Sequence, residues 1–147
     1  MTSNLFADLP THLPKELVQT LISAADVRIN GGDTVGSLMV VSSPGHTPGH
    51  VSFFDPRTQT LIAGDAFTAV GRVAIPAHFD IRFPLATMAT WDRATAVESA
   101  RSLRTLEPRT LVCGHGPVVG DEATTKIDEA IVRAERAGFT ASAPTAS

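Results

Sequence analysis

Residues 44–50 read Pro44-Gly45-His46-Thr47-Pro48-Gly49-His50, directly after the apolar, β-rich run SLMVVS at residues 37–42. A strand that stops at such a segment puts a metal-capable imidazole on a short loop at a strand end. Its glycines let another backbone approach closely. The pattern recurs twice. Residues 60–63 (TLIA) run into Gly64-Asp65, and residues 110–113 (TLVC) run into Gly114-His115-Gly116-Pro117. Three strand-and-loop units, each carrying imidazole or carboxylate beside glycine or proline, predict chemistry held on rigid loops at strand ends.

Outward from these units the pattern alternates between sheet and helix. Residues 51–54 (VSFF) and 60–63 flank Asp55 and Pro56, both turn formers, which predicts a hairpin. Residues 70–75 are a further strand candidate, and Gly31-Gly32 suits a turn between strands. Leu17, Val18, Leu21 and Ile22 mark a first helix behind Pro14. A longer helix is expected over 90–106, capped by Thr90, with Asp92 in its first turn and Pro108 closing it. Its buried face would hold Trp91, Ala94, Val97, Ala100, Leu103 and Leu106. Glu98 and Arg101 are spaced to pair on its solvated side. The last helix, over about 121–137, buries Ile127, Ala130, Ile131 and Ala134 and stops at Gly138. This order predicts an α/β layered fold, with one mixed sheet and helices on one face. Residues 1–139 form a single domain and 140–147 a polar tail. The second sheet face has no obvious cover.

Composition removes several function classes. A net charge of −3 without a basic block argues against nucleic acid, whose phosphates need clustered cations. No run approaches the roughly 20 apolar residues of a membrane span, so no membrane partner is expected. The first residues lack the pattern of a secretory signal. The lone Cys113 excludes an internal disulfide and fits a reducing compartment, so a cytoplasmic location is expected.

His46, Asp65 and His115 are the residues whose chemistry stands out. Imidazole and carboxylate suit zinc, iron or manganese, and one carboxylate can bridge two ions. The bland alternatives are a turn histidine for His46, an Asx-turn for Asp65, and a histidine in a glycine-rich turn for His115. His50, four residues after His46, reads as a residue that orients the loop. Cys113 reads as a small buried hydrophobe. His78 and Asp80 lie on a loop that is expected to be solvated.

PGHTPGH, a hairpin, AGDAF, a helix and CGHGPVVGD, in that order, resemble the metallo-β-lactamase superfamily, above all its glyoxalase-II-like and lactonase-like members. The resemblance covers about residues 26–138. It implies half of an αββα sandwich in which two similar halves pack face to face. It also implies a hydrolase acting on a small-molecule ester, lactone or thioester. By the same resemblance His46 is a ligand of the first metal site, Asp65 is the catalytic carboxylate bridging both metals, and His115 is a ligand of the second. Zinc is the implied cofactor, with iron and manganese as alternatives. His50 is not carried over as a ligand.

One departure is large. The family's His-x-His-x-Asp-His segment is absent, since the five histidines are His12, His46, His50, His78 and His115. The chain therefore reads as the second half of the fold, with two protein ligands per metal where catalytic zinc usually has three. The expected partner is a complementing chain or a second copy in a homodimer. The alternative function is a non-catalytic remnant or dimerising binding module with a vestigial site.

Overall fold

A computed structural model of the chain describes residues 27–77 and 90–138. The helix expected near residue 14, His12, the loop with His78 and Asp80, and the tail at 140–147 lie outside these residues.

Five strands form one sheet in the order β1-β2-β3-β4-β5. They are β1 (Thr34–Val35), β2 (Leu38–Ser42), β3 (Val51–Asp55), β4 (Thr60–Gly64) and β5 (Thr110–Cys113). Neighbours are antiparallel except for β4 and β5, which are parallel, so the sheet is mixed as expected. A parallel neighbour requires a crossover. The connection between β4 and β5 provides it and carries helix α1 (Arg93–Arg104); α2 (Ala123–Arg136) follows β5.

Turn chemistry sets the hairpins. Val35 pairs with Leu38, leaving Gly36 and Ser37 as a two-residue turn. Gly36 adopts φ +62, as such turns require. Asp55 closes the β3–β4 hairpin by accepting from the Arg57 backbone N–H and guanidinium at 2.8–3.0 Å. Two expectations change here. The Gly31-Gly32 turn leads into β1, and no described strand precedes it. Residues 70–75 form no strand: Gly71 takes φ +73, the segment folds back, and only Thr68 and Ala74 pair in an isolated bridge.

Register divides the sheet into two unlike faces. Met39, Phe54, Leu61 and Leu111 lie in one cross-strand row. Phe54, Leu61 and Leu111 are buried in a core cluster with Val97 and Leu103 of α1 and Ile127 and Ile131 of α2. Burying a side chain such as Leu61 contributes about 1.5–3 kcal/mol. Val40, Phe53, Ile62 and Val112 form the neighbouring row on the opposite face. None of the four belongs to the cluster packed under the two helices, and the row is unevenly covered: Ile62 is 37% exposed but Val40 only 2%, while Met39, at the margin of the core-facing row, is 43% exposed. This matches the half-sandwich expected from the sequence.

The helices pack as predicted in outline. All four expected core residues of α2 are buried, and Gly138 ends it at φ +90. Helix α1 starts later than expected, because Asp92 and not Thr90 caps it: its carboxylate accepts the Thr95 N–H at 2.9 Å. Trp91 thus precedes the helix and is 63% exposed, whereas Ala96, Val97, Ser99, Ala100 and Leu103 are buried. Arg101 pairs with Glu135 of α2 at 2.6 Å rather than with Glu98, and Arg104 grips Asp128 of α2 at 2.7 and 3.0 Å. Partly exposed pairs of this kind contribute roughly 0.2–1 kcal/mol each. Here they tie the two helices across the same sheet face.

Candidate metal centre

Strand direction assembles the site. β2 and β4 both run antiparallel to β3, and β5 runs parallel to β4, so β2, β4 and β5 all end at one edge of the sheet. The loops after these three ends carry His46, Asp65 and His115. Residues far apart in the chain therefore meet through topology alone.

The first loop is clamped by α1. Gly45 adopts φ +133, and a Cβ there would lie 2.4 Å from the Ala96 Cα. The Gly45 carbonyl accepts the Asp92 N–H at 2.9 Å, and the His46 carbonyl accepts the Trp91 N–H at 3.1 Å. Ser99 donates to the Pro44 carbonyl at 2.6 Å. On the His46 ring, Nδ1 shares a 3.4 Å hydrogen bond with Thr90 Oγ1, and Nε2 faces Asp65 Oδ2 at 3.7 Å.

The third loop is held in a similar way. A Cβ on Gly116, at φ +97, would meet the Ala69 carbonyl carbon at 2.4 Å. The His115 carbonyl accepts the Ala69 N–H at 2.8 Å, and Leu111 and Val119 exchange backbone hydrogen bonds at 2.8 and 2.9 Å to close the loop's base. His115 Nε2 faces Asp65 Oδ1 at 3.6 Å.

Asp65 thus stands between the two imidazoles and turns a different oxygen to each. Both gaps exceed hydrogen-bond length. A cation with Zn–N and Zn–O bonds of about 2.0–2.2 Å in tetrahedral geometry holds its two donor atoms about 3.4 Å apart. The observed 3.7 and 3.6 Å fit one shared cation on each side of the carboxylate. Each pair is only two donors. Among the described residues no set of three or more His, Cys, Asp and Glu side chains gathers to hold one ion.

A sequence profile described as the metallo-beta-lactamase superfamily matches residues 18–115, more than half of the chain. The chain belongs to the metallo-β-lactamase superfamily. Two curated proteins of Bacillus subtilis are similar to it. The uncharacterized protein YobT is 46% identical over 88 residues, which cover 60% of this chain and 38% of YobT. The probable metallo-hydrolase YflN is 38% identical over 105 residues, covering 62% of this chain and 36% of YflN. The crystal structure of the metallo-beta-lactamase family protein TTHA1429 from Thermus thermophilus shares the fold at a TM-score of 0.55 and 21% identity, over 75% of this chain and 35% of that one. This superfamily chain therefore spans well under half the length of each of these three relatives.

Several residues of this metallo-β-lactamase half-fold escape a reading of the sequence. Thr90, expected at the helix cap, sits on His46 instead, a contact that spans 44 positions and leaves no local signal. Ser43 and Ser52 are buried and hydrogen-bonded to each other at 2.7 Å. Ser52 has one available signal: it keeps step with core-facing Phe54 and is polar where the pattern asks for an apolar residue. His50 turns its Nε2 to the Asp65 backbone N–H at 3.2 Å, as a loop-orienting residue would. Burial lowers its pKa, opposed by hydrogen bonding with the Ser43 backbone and by the Asp65 charge. Cys113 packs against the core, and burial, aided by the Asp65 charge, pushes its thiol up to about 12. It is a neutral packing group at physiological pH. No helix among the described residues is long and apolar enough to cross a membrane.

Proposed function

We propose that this chain forms half of a metal-dependent hydrolase that acts on a small-molecule ester, lactone or thioester. The supporting observation is Asp65, whose two oxygens face His46 and His115 at 3.7 and 3.6 Å. In this reading His46 and Asp65 hold one cation, and Asp65 and His115 hold a second. Zinc is the preferred ion, and iron or manganese would suit the same donors. Bound cations of this kind supply Lewis-acid polarisation of a carbonyl and activation of water. The chain's own residues do the placing. Thr90 orients the His46 ring, α1 fixes its loop, and the Ala69 segment fixes the His115 loop.

Two donors per cation fall short of the three usual for catalytic zinc. The proposal therefore includes further donors from a complementing polypeptide segment, a second copy of this chain included. A cytoplasmic setting belongs to the same reading and rests on the single, half-buried Cys113. Elemental analysis of protein purified without chelator tests the metal reading, with hydrolysis assays on ester, lactone and thioester substrates after zinc loading. Near-stoichiometric metal and hydrolysis, both lost in His46→Ala, Asp65→Ala and His115→Ala, are expected. A second reading, a non-catalytic remnant, is favoured by the lack of any three-donor cluster among the described residues. Protein that takes up no zinc and hydrolyses nothing, even as a self-associated species or with the complementing segment supplied, would make it the better account.

A further inference from the structure

A line of hydrogen bonds runs behind the candidate site. The Asp65 backbone N–H donates to His50 Nε2 at 3.2 Å. His50 Nδ1 meets Ser43 Oγ at 2.8 Å, and Ser43 Oγ meets Ser52 Oγ at 2.7 Å. Ser52 Oγ donates to the Ala63 carbonyl at 3.4 Å. The backbone N–H can only donate, so His50 Nε2 must be a bare acceptor and Nδ1 must carry the ring proton. That proton goes to Ser43, the Ser43 hydroxyl proton goes to Ser52, and the Ser52 hydroxyl proton goes to Ala63. Assigned in this direction, the line uses each hydrogen once.

Both ends of the line meet the same bend. Ala63 and Asp65 flank Gly64, which leaves β4 at φ +52. The line therefore grips the backbone on both sides of the bend that presents the Asp65 carboxylate. A Cβ on Gly64 would stand 3.0 Å from His50 Nε2, so the ring lies directly against that bend. Ser43 and Ser52 are 1% and 0% exposed, beside the apolar core. Buried hydroxyls cost stability unless every hydrogen bond is made, and apolar side chains would serve packing alone equally well. Among the described residues no buried side-chain polar atom lacks a partner.

We propose that His50, held in its Nδ1-protonated tautomer by Ser43 and Ser52, is a positioning residue that fixes the Asp65 carboxylate between His46 and His115. The proposal rests on the metal reading of Asp65 and adds to it the residue that sets the geometry. His50 itself binds no cation in this account.

The test pairs two amides that divide the functions of the ring. In His50→Gln the side-chain oxygen reaches the Nε2 position and still accepts the Asp65 N–H. In His50→Asn the amide reaches only the Nδ1 position, so the Ser43 contact survives and the Asp65 contact is lost. Zinc affinity, measured by competition with a chromogenic chelator, should stay within about threefold of wild type for His50→Gln. It should fall about 10- to 100-fold for His50→Asn, the range for partners that orient ligands. Ser43→Ala, which frees the ring to switch tautomer, should lie between them and serves if a His50 variant does not fold. Long-range 15N–1H NMR of the metal-free protein should show the Nδ1-protonated tautomer, and the Asp65 amide should exchange slowly in wild type and His50→Gln but fast in His50→Asn. Wild type that binds zinc with both amide variants equal to it overturns the positioning role. Wild type that binds no zinc overturns the metal reading instead, and the tautomer and the amide exchange then decide the positioning separately. An Nε2-protonated ring overturns it outright.

Discussion

Gly114→Ala should separate metal binding from stability. An added Cβ would lie 2.5 Å from Asp65 Oδ1, while the next nearest atoms, Asp65 Cγ and the Gly64 carbonyl carbon, are at ordinary contact distances of 3.4 and 3.5 Å. No backbone atom blocks it, and Gly114 has no positive φ. The only group forced to move is the carboxylate. A carbon and an oxygen approach to about 3.3 Å, so Oδ1 must retreat by about 0.8 Å. Metal–ligand distances tolerate about 0.2 Å. The retreat is therefore roughly four times what the cation on the His115 side can absorb. We expect zinc affinity to fall about 10- to 100-fold, or about 1.4–2.7 kcal/mol. In excess chelator the fold should lose less than about 1 kcal/mol, a shift of only about 2–4 °C at this chain length. Chelator-competition titration reads the first quantity and thermal unfolding the second. Unchanged zinc affinity would refute the reasoning, and so would a melting point lowered by more than about 10 °C.

Gly45→Ala should behave in the opposite way. Its Cβ meets helix backbone at Ala96 and its φ is +133, so about 2–5 kcal/mol of stability should be lost in chelator melts, from overpacking and positive-φ strain together. A loss under about 1 kcal/mol would mean that the loop is not clamped by α1. Thr90→Val removes the hydrogen bond to His46 Nδ1 and should weaken zinc binding about 10-fold with little change in melting, as calorimetric titration can check. Asp55 has a pKa held below the usual carboxylate range, first by the Arg57 side-chain hydrogen bond. A lowered folded-state pKa gives stability that is present above the unfolded value, about 3.9, and is lost as pH falls through the folded value. Asp55→Asn should therefore melt below wild type at neutral pH, with the gap closing under about pH 4. A gap that does not change with pH would remove Arg57 as the cause.

Much of this fold can be read locally. SLMVVS, VSFF, TLIA and TLVC supply β2 to β5, because alternation and turn residues act over a few positions. The stripe Ile127, Ala130, Ile131, Ala134 is buried in full, since a helix face is a property of spacing. The three metal-capable residues are legible because each sits beside glycine or proline at a strand end. The sequence also shows that one sheet face would lack a helix.

Other features depend on partners distant in the chain. The pairing register sends Phe54 into the core and Phe53 to the opposite face, a choice that composition does not express. Trp91, expected to be buried, lies outside the helix because Asp92 takes the cap by accepting a backbone N–H. Arg101 pairs with Glu135 over Glu98 because α2 packs alongside α1. The closeness of Gly114 to Asp65, and the line from Ala63 through Ser52, Ser43 and His50 back to Asp65, exist only once β2, β3, β4 and β5 lie side by side. Residue type and spacing are written along one dimension, and they determine which side chains this chain can offer a metal. Distances between loops depend on strand direction, register and close approach in three dimensions, and those decide which oxygen of Asp65 faces which histidine.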